Sequence, residues 1–209
     1  MAKRILPYRD YSEHDVVNLF SLDLSTATAT TLAGMVSNGS GDYDAGVVVP
    51  VSAGALPGEV SELRANSNDA LRGYLGATFS GAHIGFNGYP ANTGMTVAPA
   101  NAGSRGLGIT LRETLAFDEN GEKMLYYKQK LDEYQGVLPG QSVPVLTKGL
   151  VLLAAGAITG SVALGDDLEV ATGGKLKKNA SGVIVGSVIA IGEESDSSST
   201  KKYLCKVSF

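Results

Sequence analysis

Apolar residues along this chain fall in short runs, and no run keeps a helical period for long. From Gly136 to Phe209, Val, Ile and Leu recur every few residues, separated by Pro139-Gly140, Gly160-Ser161, Gly165-Asp166, Gly173-Gly174 and Ser181-Gly182. Short strands punctuated by turn formers are the pattern of an all-β barrel or sandwich. The last residues sharpen it: Tyr203, Cys205, Val207 and Phe209 alternate with Leu204, Lys206 and Ser208. Successive side chains of a strand point to opposite faces, so this is a terminal strand with one face in the core.

Upstream, Leu107, Ile109, Leu111, Leu115 and Phe117 form a second apolar series, followed by Asp118-Glu119-Asn120-Gly121 and then Met124-Leu125-Tyr126-Tyr127. Asn-Gly tolerates the positive φ angles of a tight turn, so the pattern predicts a hairpin. One of Tyr126 and Tyr127 then faces outward. The charged stretch Lys128 to Tyr134 reads as a helical turn. Residues 26–105 are dominated by small residues and turn material. Within them Val47 to Val51 is a strand, placed at an edge or bulge by Pro50. Glu59 to Ala65 and Ser67 to Leu75 are the short-helix candidates.

The first 25 residues stand apart. Ser12 and Asp15 have the spacing of a capping box, so a helical turn starts there, or else Val16 to Phe20 forms a strand. The segment reads as an arm that docks elsewhere or as an edge strand. The expected organisation is an N-terminal arm at 1–25, a loop-rich β segment at 26–105 and a β-barrel at 106–209.

Composition narrows the function. Of 209 residues only 18% are charged, glycine numbers 27, and the net charge is −4. Average domains carry about a quarter charged residues, so the low figure favours a rigid β protein partly covered by partners. Basic residues are not clustered beyond Lys177-Lys178 and Lys201-Lys202, which argues against direct contact with nucleic acid. The single Cys205 excludes an intrachain disulfide and reads as a small core side chain. The N-terminus lacks the apolar core of a signal peptide, and the run Gly149 to Val162 is too short to span a bilayer, so the expectation is a cytoplasmic product without membrane contact.

Candidate chemistry is sparse. Asp42-Tyr43-Asp44-Ala45-Gly46 is a fragment of a calcium loop without its further ligands or closing Glu, and reads as a polar turn. Asp166-Asp167 reads as a turn into a strand. His14 and His83 are far apart and outside any zinc or triad motif. The stretch Gly103 to Gly108 precedes a strand, where its amides would not cradle a pyrophosphate. No catalytic residue, cofactor or metal is expected. Tyr8, Arg9 and Tyr11, with Leu19 and Phe20, are the candidate partner contacts, because Tyr and Arg are enriched among interface hot spots. Equally, the tyrosines pack on the chain's own strands.

Several stretches together resemble the head decoration, or capsid cement, proteins of tailed bacteriophages. They are Gln141 to Val145, Lys148-Gly149, Gly165 to Val170, Gly173 to Leu176, Val185 to Ala190 and the final Lys206-Val207 strand. The run Arg105 to Leu111 with the following DENGEKMLYY, and the opening PYRDYSEHDVVNLF, carry the likeness further. The resemblance implies a β-tulip-like barrel, homotrimers or other clusters on the outer capsid, the major capsid protein as partner, and no enzymatic activity. It places the protein in the virion after synthesis in the host cytoplasm. A rival reading is a carbohydrate-binding or adhesin module of a fibre or baseplate. The absence of Trp and the 7% aromatic content weigh against its aromatic platform.

Overall fold

A computed structural model of the chain describes residues 4–22, 44–52, 96–115, 124–138, 141–193 and 201–209. The strands in chain order are β1 (Ile5–Asp10), β2 (Val16–Val17), β3 (Ser21–Leu22), β4 (Val48–Val49), β5 (Val51–Ser52) and β6 (Thr96–Val97). Then come β7 (Gly108–Thr110), β8 (Glu113–Thr114), the short helix α1 (Lys128–Glu133), β9 (Gly136–Val137) and β10 (Val145–Leu146). The chain finishes with β11 (Lys148–Ala154), β12 (Ile158–Thr159), β13 (Asp167–Ala171), β14 (Lys175–Lys178), β15 (Gly186–Glu193) and β16 (Lys201–Ser208). The all-β class read from the sequence is the observed one.

The largest sheet runs β1-β11-β16-β15-β13-β14-β12. Its two edges, β1 and β12, do not meet, so the described strands form an open sheet where a closed barrel was one expectation. A four-stranded sheet, β2-β10-β7-β4, and a three-stranded sheet, β3-β6-β5, complete the body.

Strand period explains how these sheets stack. In the run Val47-Val48-Val49, Val48 belongs to the core shared with the large sheet, while Val47 and Val49 belong to a second core with Leu22 and Val97. The same alternation splits Leu146 from Val145. The four-stranded sheet is therefore a middle layer, apolar on both faces, with the large sheet on one side and the three-stranded sheet on the other. A strand buried on both faces reads as a continuous apolar run, as this one does. In β16 the burial alternates as expected: Tyr203, Cys205 and Val207 are buried.

Among the described residues, Gly108–Thr110 and Met124–Tyr126 do not pair as the expected hairpin. All three residues of β7 are buried, and its edges are taken by β10 and β4. With both edges filled, Met124–Tyr126 becomes a 3-10 turn whose Met124 enters a small third core with Leu115 and Leu131. The chain bends after β7, and β8 pairs in parallel with β9. Lys128 to Glu133 is helical as expected. The turn at residues 118–121 and the helix candidates at 59–65 and 67–75 lie outside the described residues.

Of the two alternatives for the opening segment, residues 4–22 take the edge strand. β1 pairs antiparallel with β11, β2 with β10, and β3 runs parallel to β6. Between β1 and β2, Ser12 caps a 3-10 turn over Glu13–Asp15, its hydroxyl accepting from the His14 amide. The helical turn and the strand thus occur in succession.

Candidate functional site

The contact candidates begin on the edge strand. Ile5 pairs with Leu153, but Arg9 pairs with Val151, so β1 spends four steps where β11 spends two. The surplus falls at Leu6-Pro7-Tyr8. Proline cannot donate to a ladder, and at a sheet edge a bulge accommodates it. The bulge turns Tyr8 outward, where it is 56% exposed. A proline and a bulge also blunt the edge against indiscriminate strand pairing.

Arg9 points back into its own chain. Its Nη1 donates to the Leu111 carbonyl at 3.3 Å and its Nε to the Leu6 carbonyl at 3.4 Å. Tyr11 lies across Gly149, where an added Cβ would come within 2.7 Å of the Tyr11 Cβ. The glycine supplies the space the tyrosine covers. Leu19 is exposed, whereas Phe20 packs against the second core and its carbonyl accepts from the Val143 amide at 2.8 Å. The five residues therefore divide. Tyr8, Arg9 and Tyr11 follow the edge of the large sheet, and Leu19 and Phe20 flank the inner layers. Tyr8 and Leu19 present the most free side chain. Tyr126 and Tyr127 are both exposed, because their segment is a turn and not a strand.

Further exposed apolar residues lie in the C-terminal part of the chain. Leu164 is 68% exposed, Val183 66% and Ile184 53%, and Ile189 is also exposed. Leu164 and Ile189 flank the hydrogen bond from the Gly165 amide to the Val188 carbonyl, 2.9 Å. Ile189 faces out because β15 carries one extra residue there: Val188 pairs with Cys205, and Ala190 already with Leu204. The bulge shifts the strand's phase, so Val188 and Ile191 face the core on either side of exposed Ile189 and Ala190.

Two carboxylates hold the loops that carry Leu164 and Val183-Ile184. Asp166 accepts from the Ala163 amide and from Lys178 Nζ, each at 2.8 Å, closing the turn that carries Leu164. Those bonds, the lysine's first, hold its pKa below the usual aspartate value. Glu169 is buried on β13. Its Oε1 meets Lys177 Nζ at 2.8 Å, and its Oε2 accepts from the amides of Ala180, Ser181 and Gly182. The lysine contact and then the Gly182 amide lower its pKa to about 2. The turns at 165–166 and 181–182 were legible as turns, but their fixing by β13 and β14 depends on the fold.

Other candidates take structural places. Asp44 and Gly46 turn the chain into β4: the Asp44 carbonyl accepts from Thr110 Oγ1, and Gly46, at φ 91°, donates to the Thr110 carbonyl at 2.7 Å. Asp42 and Tyr43 lie outside the described residues, as does His83. No group of three or more metal-ligating side chains occurs among the described residues. Cys205 is fully buried, and burial pushes its thiol up to about 12.

Comparison with known proteins adds one finding. The model of a phage family described as structural cement protein (E217 gp24/Pam3 gp6) matches residues 23–209. The match starts directly after β3 and runs to the last residue. No curated protein and no solved structure gives a significant match.

Proposed function

The chain belongs to the structural cement protein family of phages, and from that membership we propose that it binds the outer surface of the mature capsid and ties neighbouring major capsid subunits together. The family match over 23–209 carries this reading. The role is mechanical and non-enzymatic, and the protein reaches the capsid after synthesis in the host cytoplasm.

The physics suits such a part. A shell filled with DNA is under outward load. A protein that binds only the expanded lattice stabilises that lattice by mass action. Weak individual contacts add up when many copies, or a homotrimer, engage at once. The body offers stacked sheets joined by shared apolar cores. Exposed Tyr8, Leu19, Tyr126, Leu164 and Ile189 supply apolar contact residues for bridging. A net charge of −4 suits a surface turned away from the packaged DNA.

The test is mechanical. Heads are stripped of the protein, reloaded with purified chain, and heated while DNA release is followed. Reloaded heads release DNA at a higher temperature than stripped ones. Identical release temperatures with saturating protein would remove the cementing role. Mass measurement of the free protein decides between trimer and monomer.

A further inference from the structure

Val183 and Ile184 form an exposed apolar pair held at both ends. On one side the Gly182 amide donates to Glu169 Oε2 at 2.7 Å. On the other, the Val185 amide donates to the Leu168 carbonyl at 2.8 Å. The two acceptors are consecutive residues of β13, so the exposed pair is displayed from a narrow, fixed base. The amides of Ala180 and Ser181 converge on the same carboxylate oxygen, at 3.2 and 3.4 Å. Gly182 sits so close that an added Cβ would lie 2.5 Å from Glu169 Oε2.

We propose that Glu169 is a latch: its ionised carboxylate holds residues 179–182 down on β13 and so fixes the display of Val183-Ile184, and neutralising it frees this loop without unfolding the sheets. An ionised carboxylate only accepts, and here it meets three backbone donors and an ammonium. Protonation turns one oxygen into a donor and sets it against donors. Among the described residues, the charged group meeting Glu169 is Lys177 on β14; Lys178 is paired with Asp166. The loop itself adds only Asn179, whose Oδ1 accepts from the Gly182 amide at 3.0 Å and keeps a local turn when the latch opens. The sheet keeps its own bonds, because Leu168 and Val170 point the other way into the main core. The latch does not depend on the capsid-binding reading, since it concerns the free protein.

Amide hydrogen exchange on the full chain tests it. In Glu169→Gln at neutral pH, protection at Ala180 and Ser181 falls at least tenfold and approaches that of unstructured amides, while Val188 and Cys205 remain strongly protected, reduced only as far as the lower global stability requires. Unchanged protection in the loop, or core amides that become as unprotected as the loop, overturns the latch. Should the variant fail to fold, the wild type decides by acid titration. The Glu169 carboxyl carbon and the Ala180 to Gly182 amide signals shift together, with a midpoint well below that of an ordinary glutamate. Loop signals that stay still while Glu169 titrates overturn it equally. Gly182→Ala, which leaves the charge intact but crowds the carboxylate, loosens the same amides; no loosening there contradicts the close contact.

Discussion

The Val48 amide donates to the Gly174 carbonyl at 2.8 Å and thereby joins the middle sheet to the β13–β14 turn of the large one. Gly174 returns the link through its own amide to the Ala100 carbonyl at 2.9 Å. Arg4, nearly buried, adds a bond from Nη1 to the Gly173 carbonyl, also 2.8 Å. One turn thus gathers three distant parts of the chain.

That turn gives a graded stability prediction. Gly174 has φ 64°, and an added Cβ would lie 2.9 Å from the Val48 carbonyl oxygen and closer still to the Val47 side chain. Gly165 has φ 81° but open space around its Cβ position. Gly165→Ala therefore costs only the left-handed backbone term, about 1–2 kcal/mol. Gly174→Ala costs that plus the displacement of β4. Urea unfolding should place Gly174→Ala clearly below Gly165→Ala; equal losses would mean that the junction yields freely.

Acid sensitivity follows from the two carboxylates. Glu169 titrates near 2 in the folded chain against 4.5 for the free group, and Asp166 is shifted the same way. A lowered folded pKa contributes stability that is complete above the unfolded value and is lost as pH falls toward the folded one. The urea midpoint should decline from about pH 4.5 downward. Glu169→Gln should be less stable at pH 7 and show a shallower decline below pH 4.5, because the carboxylate that drives part of it is gone.

Cys205 should be inert in the native protein. Burial raises its thiol from 9.0 to about 12. A disulfide reagent at pH 8 should label it only after denaturation. The sign here is opposite: the neutral thiol is favoured in the fold, so its contribution is present below pH 9 and is lost as pH rises toward 12. Fast native labelling would show that β16 opens readily.

The opening segment should prove to be part of the body. Ile5 and Leu22 are both buried. Removing residues 1–22 deletes three paired strands and should abolish the cooperative unfolding transition. Ile5→Ala should cost about 2–5 kcal/mol. Tyr8→Ala, at an exposed bulge, should change stability by less than about 0.5 kcal/mol. If Tyr8 is a capsid contact, the same change weakens head binding by about tenfold or more. Unaltered binding would assign Tyr8 to the surface alone.

Local signals in the sequence carried the strand content, the terminal alternation of β16 and the glycine turns, because each depends on a few neighbouring residues. Pairing partners were not local. β7 took β10 and β4 over the nearby Met124 segment, since a fully buried strand must satisfy its backbone groups on both edges. Parallel pairs such as β12 with β14, and β3 with β6, leave no mark in a single stretch. Of the contact candidates, Tyr8 was legible as an aromatic beside proline in an edge segment. Leu164 and Ile189 were not, because their exposure comes from a turn pinned by a distant lysine and from a one-residue bulge. An apolar residue in a strand pattern reads as core until its register is known.

The most direct test of the capsid-binding account is cosedimentation of the purified full chain with mature, expanded heads and with unexpanded proheads of the same phage. Saturable binding to mature heads, absent from proheads, is the predicted result. Binding to neither particle, or retention with tails once heads are removed, would contradict it.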